Sequence, residues 1–433
     1  MCSPCVNPTR ACGWAVALAL AAAAPAGAAQ VIAPRDVSAA LAVAGDGRAF
    51  VVSPSARPDS ATLPGVRRRS ALPGAAFGAS RVIMRSGGAD RAVDAGVAAD
   101  GSGLVVVQSR RGVRAVAFDP AGRVGRPQWL SGPRVRADFA ASAVAPSGAA
   151  VVVWFRHLGG RWRLEAATRE PNGGRFGPPQ ALSSFVRRPC CTSVSVSIGA
   201  GGDAAATWTS TARPAVWAAL RGAGQPFGAP RLLARDASDA PRAVVGDGGG
   251  VALSYSTQPV PLRAADGLQL RRATSTTTFG PAEHVNPGGG VTIAGAAVAP
   301  AGRVLLAWRD QVHGARVHLS EAAPGQQLTA VGELGADVSA KLIAVAAADD
   351  GRASVAWSQR VSARREQAFA ALRPARSAAP AFATAVALGT AWPAATIGVA
   401  RLLPGNGALV AWNGARFGPP TQRRSALLVT RLP

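Results

Sequence analysis

The chemistry available to this chain is dominated by guanidinium groups. Of 47 basic residues all but Lys341 are arginine, against 23 acidic residues, giving a net charge of +24. Many arginines are adjacent or nearly so: Arg67 to Arg69, Arg110 and Arg111, Arg134 and Arg136, Arg187 and Arg188, Arg364 and Arg365, Arg423 and Arg424. Arg85, Arg91, Arg156, Arg213, Arg263 and Arg309 fall between these runs. A guanidinium donates two parallel hydrogen bonds, so such groups suit carboxylates, sulfates and phosphates. Codon bias in GC-rich DNA accounts for arginine over lysine, but not for the excess of base over acid.

Bond-breaking chemistry is thinly supplied. Glu165, Glu170, Glu283, Glu321, Glu333 and Glu366 are available for two-carboxylate glycoside hydrolysis, but spacing marks no pair among them. His313 and His318 are near each other in a spacing that fits no zinc motif, and His157 and His284 stand apart. There is no Gly-x-Ser-x-Gly elbow, phosphate-binding loop or dinucleotide fingerprint. The expectation is no cofactor, no metal and, on balance, no catalysis.

Residues 1–29 read as a signal peptide. Arg10 supplies the positive start, Gly13 to Ala24 a short apolar run, and Ala26 to Ala29 the small residues of a cleavage site. A run of about twelve is too short for the ~20 residues of a membrane span. The mature protein, residues 30–433, is therefore expected outside the cytoplasm as one monomeric domain. Cys2, Cys5 and Cys12 leave with the peptide, so Cys190 and Cys191 remain. Their intrachain options are a strained vicinal disulfide, which export favours, or two free thiols.

The elements that must carry these groups are repeats. An apolar stretch, a Gly-containing turn and a second apolar stretch ending in an aromatic recur, clearest at Ser142–Trp154, Ala296–Trp308 and Ala344–Trp357. The closing positions are Ser53, Gln108, Trp154, Trp208, Tyr255, Trp308, Trp357 and Trp412. Six residues before them stand Gly47, Ser102, Gly148, Gly202, Gly249, Gly302, Gly351 and Asn406. Glycine and asparagine tolerate the positive φ of a hairpin turn. Runs apolar on both faces read as strands buried on both sides. A third strand follows, as in Val113–Phe118 or Leu164–Arg169, and then a Phe-Gly element as at Phe77, Phe176, Phe227 and Phe279.

Four strands in about fifty residues is the size of a propeller blade. The expected fold is an all-β propeller of eight four-stranded blades, with seven plus a degenerate unit as the alternative. The last unit lacks a fourth strand, and VIAP from Val31 precedes the first hairpin, so the N-terminal strand is expected to complete the last blade. In blade size and Gly-to-Trp hairpin the chain resembles the secreted bacterial propellers of the sialidase-like and related repeat families. Gly351 and Trp357 span the hairpin, unlike the tighter Asp-box of sialidases. That family's chemistry implies a tyrosine nucleophile, yet Tyr255 is the only tyrosine and fills a hairpin-closing slot.

Alternating strands put the turns after strands one and three on one face and the remaining loops on the other. The first carries Asp46, Asp100, Asp203, Asp247, Asp349 and Asp350, with no arginine expected in the hairpin turns; the second collects the arginines. The repeated tryptophans read as core, whereas Trp129, Trp162 and Trp392 are better placed for exposure. The expectation is a secreted binding or scaffold propeller recognising an acidic glycan, cell-wall polymer or acidic protein. Arg156, Arg187, Arg188, Arg309, Arg364 and Arg365 are its site residues. A carbohydrate-active enzyme on the same ring is the alternative, and nucleic acid is a minor option because no motif interleaves basic and aromatic residues.

Overall fold

The computed structural model describes residues 30–34, 40–44, 46–54, 65–85, 90–109, 111–171, 174–187, 193–210, 215–235, 241–257, 267–273, 278–286, 293–309, 316–335, 343–375, 381–403, 407–416 and 424–432. The segment read as a signal peptide, Arg188, Cys190, Cys191, Asn406 and His313 lie outside the described residues.

The strands form eight antiparallel sheets. Blades 1 to 8 begin with the inner strands Ala40–Val43, Asp90–Val97, Ala137–Val144, Val194–Ile198, Arg242–Val245, Ile293–Val298, Ala344–Ala347 and Ala394–Leu402. Each inner strand lies beside the next, and Ala40–Val43 also lies beside Ala394–Leu402, so the ring is closed. In blade 8 the outermost strand is Gln30–Pro34, paired antiparallel with Arg424–Leu432 (Gln30↔Val429, Pro34↔Ala426). The N-terminal strand thus covers the edge of Arg424–Leu432 and completes the four strands of blade 8.

The hairpin turns follow the repeat. Gly47, Gly148, Gly202, Gly249, Gly302 and Gly351 have φ between 80° and 95°, the region that glycine enters without penalty. Blade 2 departs by one residue. Its positive-φ turn residue is Gly101 (φ 84°), not Ser102, and its closing slot holds Val107 rather than Gln108. The outer strands of blades 2, 3, 5 and 7 are short, whereas those of blades 1, 4 and 6 have five or six residues. Gln128–Trp129, Gln180–Ala181, Glu283–His284 and Val386–Ala387 have two residues each.

The core sits between blades. Trp154, Trp357 and Trp412 are 0% exposed, and each packs on the blade before its own: Trp154 with Leu104 and Val106, Trp357 with Leu305 and Ala307, Trp412 with Ala356 and Ala368. Polar links reinforce these joints. The Gln128 amide accepts from Phe176 N and donates to Phe176 O, both at 2.9 Å, and Gln180 does the same to Phe227 at 2.9 and 2.7 Å.

Candidate functional site

Loops from strand two to three and from strand four to the next blade form one face, here the loop face; the hairpin face is opposite. Arg156, Arg309, Arg364 and Arg365 stand at the loop-face ends of blades 3, 6 and 7. Arg187 joins Arg156 in blade 3, where the short strand Val186–Arg187 pairs with Arg161 and Trp162. Blades 3 and 7 are four apart in a ring of eight, so Arg156, Arg187, Arg309, Arg364 and Arg365, the described ones of the six expected site arginines, do not make one pocket. They divide between blade 3 and blades 6 and 7.

Two expectations about charge change. Arg67, Arg68 and Arg69 lie within the third strand of blade 1, not in a loop. Arg68 is buried, its guanidinium 4.5 Å from the Phe50 ring and 4.6 Å from Phe118 across the joint to blade 2. The hairpin turns do hold arginines, Arg48, Arg303 and Arg352, whose carbonyls close the turns. Arg48 and Arg352 also bind the turn aspartates Asp46 and Asp350 through N and Nε. The hairpin face is therefore knitted by mixed charge rather than being acidic.

Blade 3 builds the most developed cationic surface among the described residues. Its middle strands, Ala150–Leu158 and Arg161–Arg169, have nine residues each and turn at Gly159 and Gly160, both with positive φ. This register sets Arg156 opposite Arg163 and His157 opposite Trp162. Like charges directly opposite repel. Glu165, 1% exposed, offsets this by accepting from Arg156 Nη1 at 3.4 Å and Arg163 Nε at 3.2 Å on one oxygen, Oε1. Aromatic rings flank two of the guanidiniums. Arg163 lies over Phe185 at 4.5 Å, and Arg136 over Trp162 at 5.5 Å, with His157 packed on Trp162 at 4.7 Å. Such cation–π contacts add stabilisation. Arg136, Arg156, Arg161 and Arg163 stand here against two carboxylates, Asp138 and Glu165.

Beside this surface the inner strand of blade 3 bulges between Asp138 and Ala141. Phe139 sits in the bulge with φ 55° and 47% exposure, an arrangement unfavourable for a bulky residue. Gln108 of blade 2 holds it by accepting from Ala140 N at 2.9 Å and donating to Asp138 Oδ1 at 3.4 Å. Phe139 meets Phe155 edge-on at 6.3 Å. Displaced by one from the closing slot, Gln108 thus gains a role that its sequence position did not signal.

The inner strands carry a second polar site. Asp94 of blade 2 accepts from Ser142 N at 2.7 Å and Ala95 N at 2.9 Å. Exclusion of bulk water by the surrounding strands raises its carboxyl above the ordinary range, outweighing these amides and the more distant Arg401.

Catalytic alternatives find their residues occupied. Glu165, Glu170, Glu283, Glu321 and Glu333 each pair with arginine, and Glu366 accepts from Ala395 N. Tyr255 is 3% exposed between blades 4 and 5; burial raises its phenol, whose oxygen accepts from Arg271 Nε at 3.0 Å. Trp129, Trp162 and Trp392 are half-buried rather than open, and Arg114 lies 5.0 Å over Trp129.

Sequence reasoning missed Arg169, Arg221 and Arg373, all buried on the hairpin face. Each ends the third strand of its blade, and Arg221 and Arg373 reach glutamates 51 and 52 residues earlier. That separation is one repeat, and was the available signal.

No family model matches the chain, and no curated protein matches it in sequence. Among solved structures it is similar to the β-propeller domain of the trilobed protease from Pyrococcus furiosus, at 10% identity and TM-score 0.45, covering 79% of this chain and 94% of that one. It is also similar to an AofleA variant from Arthrobotrys oligospora, at 12% identity and TM-score 0.44, covering 82% and 88%. A third similarity is to the polysaccharide lyase Uly1, at 8% identity and TM-score 0.44, covering 94% and 90%. These likenesses are of general outline.

Proposed function

We propose that this is an exported, non-catalytic binding propeller that recognises an acidic polymer, a glycan or cell-wall polyanion, through its loop face. The observation that carries the reading is the blade 3 surface, where Arg136, Arg156, Arg161 and Arg163 stand against two carboxylates and aromatic rings flank two of the guanidiniums. Preorganised guanidiniums lose little side-chain entropy when they bind carboxylate or sulfate. The second group, with Arg364 and Arg365 exposed at the tip of the long blade 7 hairpin, lies across the ring. Two cationic patches on one rigid face suit an extended polymer better than a small ligand, because simultaneous contacts gain avidity. The net charge of +24 adds long-range steering.

The test is an array of acidic and neutral glycans probed at low and high salt. The reading expects selective binding to acidic glycans that weakens as salt rises. Equal binding to neutral glycans, or binding to acidic proteins alone, would count against a polymer ligand.

A further inference from the structure

At the last residue of strand three the repeat builds a joint on the hairpin face. Arg221 in blade 4 donates Nη1 to Gly202 O at 2.8 Å and pairs through Nη2 with Glu170 of blade 3. Arg373 in blade 7 donates Nε to Gly351 O at 2.8 Å, and its two terminal nitrogens grip Glu321 of blade 6 at 2.8 and 2.9 Å. In both joints a buried arginine ties its own hairpin turn to a carboxylate of the preceding blade.

Arg169 occupies the same position in blade 3. It pairs in register with the first residue of strand two, as Arg221 and Arg373 do, and donates Nη2 to Gly148 O at 2.9 Å. It is only 7% exposed, yet among the described residues it has no carboxylate partner, and its Nε is buried without an acceptor. Asp119, which follows strand three of blade 2 as Glu170 follows that of blade 3, is taken by Arg123. Ala117 of blade 2 stands where Glu321 stands in blade 6, next to last in strand three and 52 residues before the arginine. A buried cation without its counter-charge is costly.

A cleft of about 540 Å³ opens at this place, between blades 2 and 3, and both Ala117 and Arg169 line it. Its other polar walls include Asp100, Ser102, Asp119 and Ser147, with Arg123 at the rim. Asp100 Oδ1 accepts from Ser102 N and Asp119 Oδ1 from Arg123 N. A carboxylate accepts several hydrogen bonds, so both retain capacity for ligand hydroxyl donors. Two acids in the walls disfavour a polyanion. The volume is that of an ordinary small-molecule site.

We infer that the cleft between blades 2 and 3 binds a sugar acid, whose carboxylate supplies Arg169 with the counter-charge that Glu321 gives Arg373, while its hydroxyls meet Asp100 and Asp119. This site is on the face opposite the blade 3 arginine surface and does not depend on the function proposed for that surface.

Titration calorimetry of the intact chain with glucuronate, and with glucose as the neutral control, tests the inference. Arg169→Met removes the cation. Ala117→Glu supplies the missing carboxylate internally and should raise the melting temperature while blocking the site. The expected result is binding of glucuronate in preference to glucose, weakened at least tenfold by each substitution. Absence of glucuronate binding, or binding undiminished in both variants, would overturn it.

Discussion

Arg373 of blade 7 holds Glu321 of blade 6 through two parallel hydrogen bonds of 2.8 and 2.9 Å, while its Nε holds the Gly351 carbonyl of its own turn. With the arginine 5% and the glutamate 13% exposed, the pair welds two blades at a place where the apolar core gives way to the hairpin face. Removing Glu321 alone leaves a buried guanidinium unpaired. Glu321→Ala is therefore expected to cost about 3 kcal/mol of stability, whereas replacing both partners by apolar residues costs far less. Urea unfolding of the single and double variants measures the difference.

The same pair sets an acid limb. Hydrogen bonding to Arg373 outweighs burial and lowers the Glu321 carboxyl below its ordinary range. A depressed carboxyl contributes stability that is present above its unfolded pKa and is lost as pH falls through its folded pKa. Thermal unfolding of Glu321→Ala should show a shallower fall below the ordinary carboxylate range than the wild type. Superimposable acid limbs would contradict this.

Asp94 acts with the opposite sign. Its carboxyl is raised by burial, so the unfolded chain ionises first as pH rises, and stability declines between the unfolded and folded values. Asp94→Asn removes that decline at the cost of one acceptor for Ser142 N or Ala95 N, a cost independent of pH. Melting temperatures of variant minus wild type should therefore rise from pH 4 to pH 8. A constant difference would show that burial does not raise the Asp94 carboxyl.

The bulge in blade 3 gives a third stability test. Gln108→Ala leaves Ala140 N without its acceptor and should cost about 1–3 kcal/mol. Phe139→Gly instead relieves a positive φ and is expected to leave stability unchanged or raise it by up to about 1 kcal/mol. Chemical denaturation of both variants checks this pair of opposite signs.

The ring was legible because its determinants are local and repeated. Glycine at six hairpin turns, short strands apolar on both faces and an aromatic closing slot specify blade, register and count without knowledge of long-range contacts. Blade 2 slipped by one because Gly101 and Ser102 sit side by side and Gln108 follows Val107; only pairing with the neighbouring strand distinguishes them. The site was less legible for a physical reason. An arginine looks the same in sequence whether it stacks under Phe50 and Phe118, as Arg68 does, or sits exposed at a hairpin tip, as Arg364 does. Its role depends on which residues of the next blade approach it. Arg156 was chosen for the loop face and stands there, but half-buried and tied to Glu165, so the exposed contacts fall to Arg136 and Arg161.

Arg136 and Arg161 therefore test the central claim most directly. Binding of polygalacturonate to wild type and to the Arg136→Ala/Arg161→Ala double variant should be measured across a salt series. The account predicts tenfold or greater loss of affinity at low salt, with a weaker salt dependence and, from loss of the Trp162 contact and the Asp138 ion pair, a small fall in melting temperature. Equal affinity and equal salt dependence in the two proteins would contradict binding through the blade 3 arginine surface.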